Sequence, residues 1–219
     1  MSNITVQYIP ADQRELPKLV GKNNKIAARP LAEYRAMNQT ALRLFCHTHA
    51  RYVLPTTELI DYLKTIIGDR SAIEIGAGAG DLGCQLGIPM TDSYCQTWPD
   101  VQLMYAATGQ PTIKYGRDVE YLDALAAVEK YQPDVVLAAW VTHWIDPNLP
   151  PKPGSMYGVK EDLLLKNVKE YIVVGSTAIH SIKPIMALPH TTIDACDMVV
   201  SRSQRGDDKI WIWPGGKNK

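Results

Sequence analysis

No excess of charge of either sign marks this 219-residue sequence, in which 23 Lys and Arg balance 23 Asp and Glu. Without net charge there is no global field to draw the chain to nucleic acid or an anionic membrane, so neither partner is indicated. Nowhere do about 18 apolar residues run together, which argues against a membrane-spanning helix. The start of the chain, through Ile9 and Pro10, lacks the charged-then-apolar layout of a secretory signal. Cys46, Cys84, Cys95 and Cys196 make no Cys-x-x-Cys pair, so neither a disulfide scaffold nor a zinc ribbon is indicated. These absences together lead to the expectation of a soluble, cytoplasmic protein with reduced thiols.

What is present is the rhythm of one α/β domain with a small appendage. The first 29 residues are polar, carry Pro10, Pro17 and the Gly21-Lys22-Asn23-Asn24-Lys25 run, and show no sustained period. From Pro30, apolar residues recur at helical spacing through Leu31, Tyr34, Leu42, Phe45 and Tyr52, until Pro55 stops the pattern. Residues 1–55 therefore read as an N-terminal arm and helical extension, and residues 56–219 as the main domain.

In that domain Thr56 or Thr57 caps a helix with the stripe Leu59, Leu63, Ile66 and Ile67, which Gly68 ends. Ser71 to Ile75 is a short apolar run of the kind a buried parallel strand shows. Asp81 to Leu86 leaves room for a short helix and Ile88 to Thr91 for a short strand. A helix over Tyr121, Leu122, Leu125 and Val128 precedes a strand over Asp134 to Ala139. A Pro- and Gly-rich loop then leads to a helix near Lys160 to Val168 and a strand over Tyr171 to Gly175. Asp197 to Ser201 and Lys209 to Trp213 read as two strands joined across residues 204–208, a hairpin signal.

The densest signal is Glu74-Ile75-Gly76-Ala77-Gly78-Ala79-Gly80, three glycines at alternate positions between a strand and a helix. Side chains there would block close approach of a ligand, and backbone N–H groups exposed at the turn can hold an anionic or carboxylate group. Gly78, Gly80 and Gly83 also satisfy Gly-x-Gly-x-x-Gly, the dinucleotide fingerprint, so a nicotinamide-dependent oxidoreductase stays open at this point.

Glu74 together with the Glu-x-Gly-x-Gly-x-Gly spacing resembles the first motif of the Rossmann-like, class I S-adenosylmethionine-dependent methyltransferases. The resemblance extends as an order of elements from about Thr56 to Trp213. It implies a three-layer sandwich with a mostly parallel sheet, ending in a C-terminal antiparallel hairpin. It implies S-adenosylmethionine as cofactor, with Glu74, Gly76, Ala77, Gly78 and Gly80 beneath its amino-acid part. Asp92 matches the acidic position that hydrogen-bonds the ribose, although the stretch from Gly76 to Asp92 is shorter than the family's. Asp118 and Val119 correspond to the family's adenine-side acidic position. Read from the residues themselves, Trp140 and Trp144 are candidates to stack on adenine or a flat acceptor, with core packing favoured for at least one.

Trp140-Val141-Thr142-His143-Trp144 leaves the fourth strand at the edge where open sheets bind ligands. The Asn/Asp-Pro-Pro-aromatic tetrad of amino-directed DNA methyltransferases is absent, as is the Pro-Cys nucleophile of cytosine-directed enzymes. His143 is the candidate general base, while a packing role between two tryptophans fits it equally well. His143 and Asp146 lack a third ligand, so no metal is assigned. His180, Lys183, Tyr34, Arg51 and Tyr52 are candidate substrate contacts. The expected activity is methyl transfer to an oxygen or nitrogen of a small molecule or protein. A methyltransferase-like protein without turnover is the alternative, motivated by the shortened Gly76 to Asp92 stretch.

Overall fold

The computed structural model describes residues 16–150, 152–203 and 206–217; the expectations for residues 1–15, and for Gln204 and Arg205 in the C-terminal turn, lie outside these. The single helix expected after Pro30 is two, α1 (Leu31–Ala36) and α2 (Gln39–Thr48). Asn38 is the reason. Its side-chain oxygen accepts from the N–H groups of Thr40 and Ala41, at 3.0 and 3.1 Å, and starts a second helix where the apolar period alone continues the first.

β1 (Val53–Leu54) leads to α3 (Thr57–Ile67), which Thr56 caps by accepting from Leu59 N–H at 3.0 Å. β2 (Ala72–Ile75) then passes through the glycines into α4 (Asp81–Leu86) and β3 (Thr91–Asp92). α5 (Pro99–Ala107) has no counterpart in the periodicity, because Val101 is its one buried residue and it has no apolar face to read. Tyr121 ends a strand rather than starting a helix: β4 (Glu120–Tyr121) is followed by Asp123, whose carboxylate caps α6 (Ala124–Tyr131). β5 (Val135–Ala139), α7 (Glu161–Leu165), β6 (Glu170–Ser176), α8 (Thr177–His180), β7 (Thr191–Asp194), β8 (Val200–Ser201) and β9 (Asp208–Pro214) complete the order.

The main sheet runs β2-β5-β6-β9-β7, with β2, β5 and β6 parallel and β9 antiparallel to both of its neighbours. β3 and β4 pair in parallel beside it, joined to β2 where Glu74 bridges Met90 and Ala77 N–H donates to Thr91 O at 3.0 Å. This is a Rossmann-like α/β fold with a mostly parallel sheet and an antiparallel C-terminal pair. The pair is β7 with β9, which corrects the expected partner of Lys209 to Trp213. β9 is flanked by β6 on one side and by Thr191–Asp194 on the other, so both edges are filled. Val200 and Ser201 pair with Leu54 and Val53 instead, where Leu54 belongs to the core of the extension and Val200 packs against it.

Alternation along the strands divides the core in two. Ile73, Ile75, Val136, Ala138 and Val173 face α6 and α7, with Ala127, Val128, Leu164 and Leu165 packed on them. Ala72, Val135, Leu137, Ile172 and Val174 face α3 and α4, against Leu59, Leu63, Ile67 and Leu82. A third cluster of Leu19, Ile26, Tyr34, Leu42, Phe45, Cys46 and Leu54 gives the extension a core of its own. Among the described residues, no helix is long and apolar enough to cross a membrane.

Candidate functional site

The chain leaves β2 through a turn in which Gly76, Gly78 and Gly80 have φ of +58°, +57° and +73°, the left-handed region that L side chains rarely adopt. Space is equally restrictive at the two ends of the turn. A Cβ on Gly76 would stand 2.5 Å from Val141 Cγ1, and one on Gly80 2.6 Å from Met90 Sδ. Beneath the turn Glu74 is buried, and its Oε2 accepts from Gly83 N–H at 2.8 Å. Burial pushes this carboxyl up to about 8, partly offset by the Gly83 N–H, so it is largely protonated at neutral pH.

The extension is built into the turn. Lys25 Nζ donates to the carbonyls of Ala79 and Gly80, at 2.6 and 3.2 Å, and pairs with Asp118 at 2.7 Å. Ile26 N–H donates to Asp81 Oδ1 at 2.8 Å, and Arg51 Nη1 pairs with Asp81 Oδ2 at 3.2 Å in a buried contact. Arg51 Nη2 also donates to Asn24 O at 2.6 Å and Asn24 Oδ1 at 3.0 Å, while its buried Nε has no hydrogen-bond partner. Burial raises the Asp81 carboxyl, and the Arg51 guanidinium opposes that rise.

Asp92 ends β3 within reach of the turn. Its Oδ2 accepts from Gly78 N–H at 2.9 Å and its Oδ1 from Tyr94 N–H at 3.0 Å. Burial raises this carboxyl as well, against the lowering effect of those two N–H groups. A carboxylate oxygen accepts more than one hydrogen bond, so acceptor capacity remains for ligand hydroxyls.

Asp118 and Val119 sit before β4, with Asp118 committed to Lys25 and Val119 buried 2.9 Å from a Cβ built on Gly80. The acidic residue at the carboxyl end of β4 is Asp123, which the sequence marks only by a position set by β4, too short a strand to read. Trp140 turns the chain at φ +58°, with its ring against Tyr52 and His180, at 5.7 and 5.3 Å between ring centres. It is Trp144, with Lys160 Nζ 4.7 Å from its ring centre, that reaches a cavity shared with Gly76. His143 is buried in a neighbouring cavity with Glu161 and Ile185, which shares Trp144, Val159 and Lys160 with that one, and burial and the nearby Lys183 ammonium hold its imidazole below the usual value. The same two causes hold His180 down to about 4. Lys183 is buried and paired with Glu161 at 2.7 Å, and Tyr34 is a core residue. Among the described residues no group of three or more His, Cys, Asp or Glu is placed to hold a metal ion.

Three cavities meet at Gly76. The first, about 70 Å³, lies between the turn and Arg51, Tyr52 and Glu74. The second, about 150 Å³, is lined by Asp92, Ser93, Tyr105, Tyr115 and Thr142, and shares Ile113 with the first. The third, about 350 Å³, runs from Ser93 past Trp98 and Tyr157 to Asp123 and Leu125. They form one cleft along the carboxyl edge of β3, β2 and β5, the edge at which open parallel sheets bind ligands. Lys25, Ile113 and Asp123 are missing from the residues the sequence singles out, since a lysine in a polar run and an isoleucine in a loop carry no pattern.

No protein-family model matches the sequence, and no curated protein is similar to it. Among solved structures the chain is similar to an rRNA methylase from Streptococcus thermophilus, at 9% identity over 71% of this chain and 93% of that one, with a TM-score of 0.39. It is similar to precorrin-6y C5,15-methyltransferase from Geobacter metallireducens GS-15, at 11% identity over 75% and 91% of the two chains, with a TM-score of 0.41. A putative RNA methyltransferase from Pyrococcus horikoshii matches at 15% identity over 74% and 82%, with a TM-score of 0.36. Likenesses of this size say nothing of substrate, and the fold class rests on the strand order and register above.

Proposed function

We propose that this chain is an S-adenosylmethionine-dependent methyltransferase that acts on an oxygen or nitrogen nucleophile of a small molecule or protein. The carrying observation is the join between Asp92 and the glycine turn: an acidic residue ending the strand next to β2 shares one cleft with three glycines in left-handed conformation. The residues present fit the cofactor. The cavity between Arg51 and the turn has a guanidinium on its wall for a carboxylate, Asp92 retains acceptor capacity for ribose hydroxyls, and the cavity from Ser93 to Leu125 offers apolar walls for a flat base. Asp123 takes the adenine-side role that the resemblance alone gives to Asp118.

Bound there, the cofactor supplies a methyl carbon on a sulfonium, an electrophile strong enough to react without acid assistance. The protein's own contribution is to hold donor and acceptor in line, which supplies much of the rate effect. His143 stands in another cavity, so it serves packing in this reading and the acceptor's proton passes to solvent. Reduced, unpaired thiols at Cys46, Cys84, Cys95 and Cys196 favour the cytoplasm as the place of action.

Titration calorimetry of the purified chain with S-adenosylmethionine, S-adenosylhomocysteine and both nicotinamide dinucleotides tests the reading. Saturable binding of the first two is expected. Binding of a nicotinamide dinucleotide instead overturns it, and binding of none leaves a structural protein without turnover.

A further inference from the structure

A second cavity, outside the cleft, lies between the helical extension and the β8 segment, with a volume of about 240 Å³. Leu31 and Leu42 from α1 and α2 form one wall and Val199 and Val200 the other, giving it an apolar body. Its rim is cationic. Arg43 projects from the exposed face of α2 and has neither a hydrogen bond nor an ion pair among the described residues. Arg202 touches an imidazole and a phenol ring, its Nη2 lying 3.1 Å from His47 Nδ1 and its guanidinium 4.7 Å from the Tyr52 ring centre. His47 is one turn along α2 from Arg43, on the same helix face, and both arginines line the cavity.

The acidic groups nearby leave those charges uncompensated. Asp208 also lines the cavity but is buried and accepts from Ser201 Oγ at 2.5 Å, and Arg35 on the rim is paired with Asp197 and the Cys196 carbonyl, so among the described residues neither carboxylate pairs with Arg43 or Arg202. Cys46, also in the lining, has a thiol pushed up to about 12 by burial and is a neutral wall rather than a nucleophile. Two guanidinium groups lining one cavity, without carboxylate partners among the described residues and above an apolar floor, are an arrangement that recognises an organic anion. The guanidinium forks take the head group and the leucines and valines take the body.

We propose that this cavity binds a compact organic anion, a carboxylate or phosphate attached to an apolar body. The cavity has no lining residue in common with the cleft, so the site is distinct from it. Tyr52, which carries Arg202 on its ring and lines the space beside Gly76 and Arg51, stands between the two. The size favours a small molecule over a nucleic-acid strand. The anion site stands without the methyltransferase reading.

The test uses the full chain, with octanoate and phenyl phosphate as probes, octylamine as a cationic control and a single-stranded RNA oligonucleotide as the competing class. Calorimetry is expected to show saturable binding of at least one anionic probe, and Arg43→Glu is expected to weaken it roughly tenfold or more, with Arg43→Lys in between. S-adenosylmethionine affinity stays unchanged in both variants. Arg43 is exposed and partner-free, so the fold survives the change, which melting curves verify; a variant that unfolds is replaced by Arg43→Gln. No binding of either anion, equal binding by Arg43→Glu, or equal binding of octylamine overturns the site. RNA binding that depends on Arg43, with neither small anion bound, overturns the ligand class. Anion binding that depends on Arg43 in a protein that binds no S-adenosylmethionine keeps the site and removes the methyltransferase reading.

Discussion

The Oδ2 of Asp92 accepts a hydrogen bond from the backbone N–H of Gly78 at 2.9 Å, tying the end of β3 to the middle of the glycine turn. One carboxylate thus fixes the position of the turn and keeps lone pairs for a ligand. Asp92→Asn retains the shape and an amide oxygen for Gly78 but loses the charge. Cofactor affinity measured by calorimetry is expected to fall roughly tenfold or more, with the melting temperature changed by only a few degrees.

Gly78→Val tests the cradle. The residue sits at φ +57°, and its Cβ would lie 3.3 Å from Ile113 Cδ1, which a flexible chain end can yield. A β-branched residue in left-handed conformation costs about 1–3 kcal/mol, so the variant is expected to fold, melt lower and lose S-adenosylmethionine binding. Unchanged affinity rejects the site.

Glu74 predicts a pH dependence. Its folded carboxyl is raised to about 8 from an ordinary value of 4.5, so the stability it contributes is fully present below about 4.5 and is lost as pH rises through about 8. Glu74→Gln keeps an acceptor for Gly83 without the ionisation. Denaturant titrations across this range are expected to show the variant gaining on the native protein as pH rises. A constant difference between the two would show that Glu74 ionises as an ordinary carboxylate.

Breaking the buried Arg51–Asp81 pair leaves a poorly compensated charge, since among the described residues Asp81's other hydrogen-bond partner is the Ile26 N–H, with the Lys25 ammonium nearby. Arg51→Met is expected to cost about 3–5 kcal/mol in chemical denaturation, and adding Asp81→Asn to recover much of it. Failure of the second change to recover stability would show that the loss comes from the Asn24 contacts instead.

His143 lies in a cavity with Glu161 and Ile185 rather than in the cleft. His143→Ala is expected to lower the melting temperature through lost packing while cofactor affinity stays within about twofold, as for a side chain that does not line the cleft. A large loss of affinity would return this histidine to the functional site.

Much of what depends on near neighbours the sequence alone determined, the Asn38 cap between α1 and α2 being a local signal that the apolar period hides. The α3 helix between Thr56 and Gly68, the buried strands around Ile73 and Leu137, and the glycine turn after Glu74 each follow from local periodicity, capping or backbone conformation. The place of Asp92 at the end of β3, beside the turn, was legible because a strand end following such a turn is a fixed place in this order of elements. Pairing across long separations was decided only by the tertiary structure. The hairpin signal before Trp213 looked local, yet Thr191–Asp194 took the edge of β9, and Val200 joined the extension's core through β1, because burial of whole strand edges outweighs a turn signal. Lys25 and Arg51 came to the glycine turn in the same way. Their partners, at Ala79 and Asp81, are recognisable only once the extension has folded back over α4, since a charged side chain carries no record in sequence of the distant carbonyl or carboxylate that it satisfies.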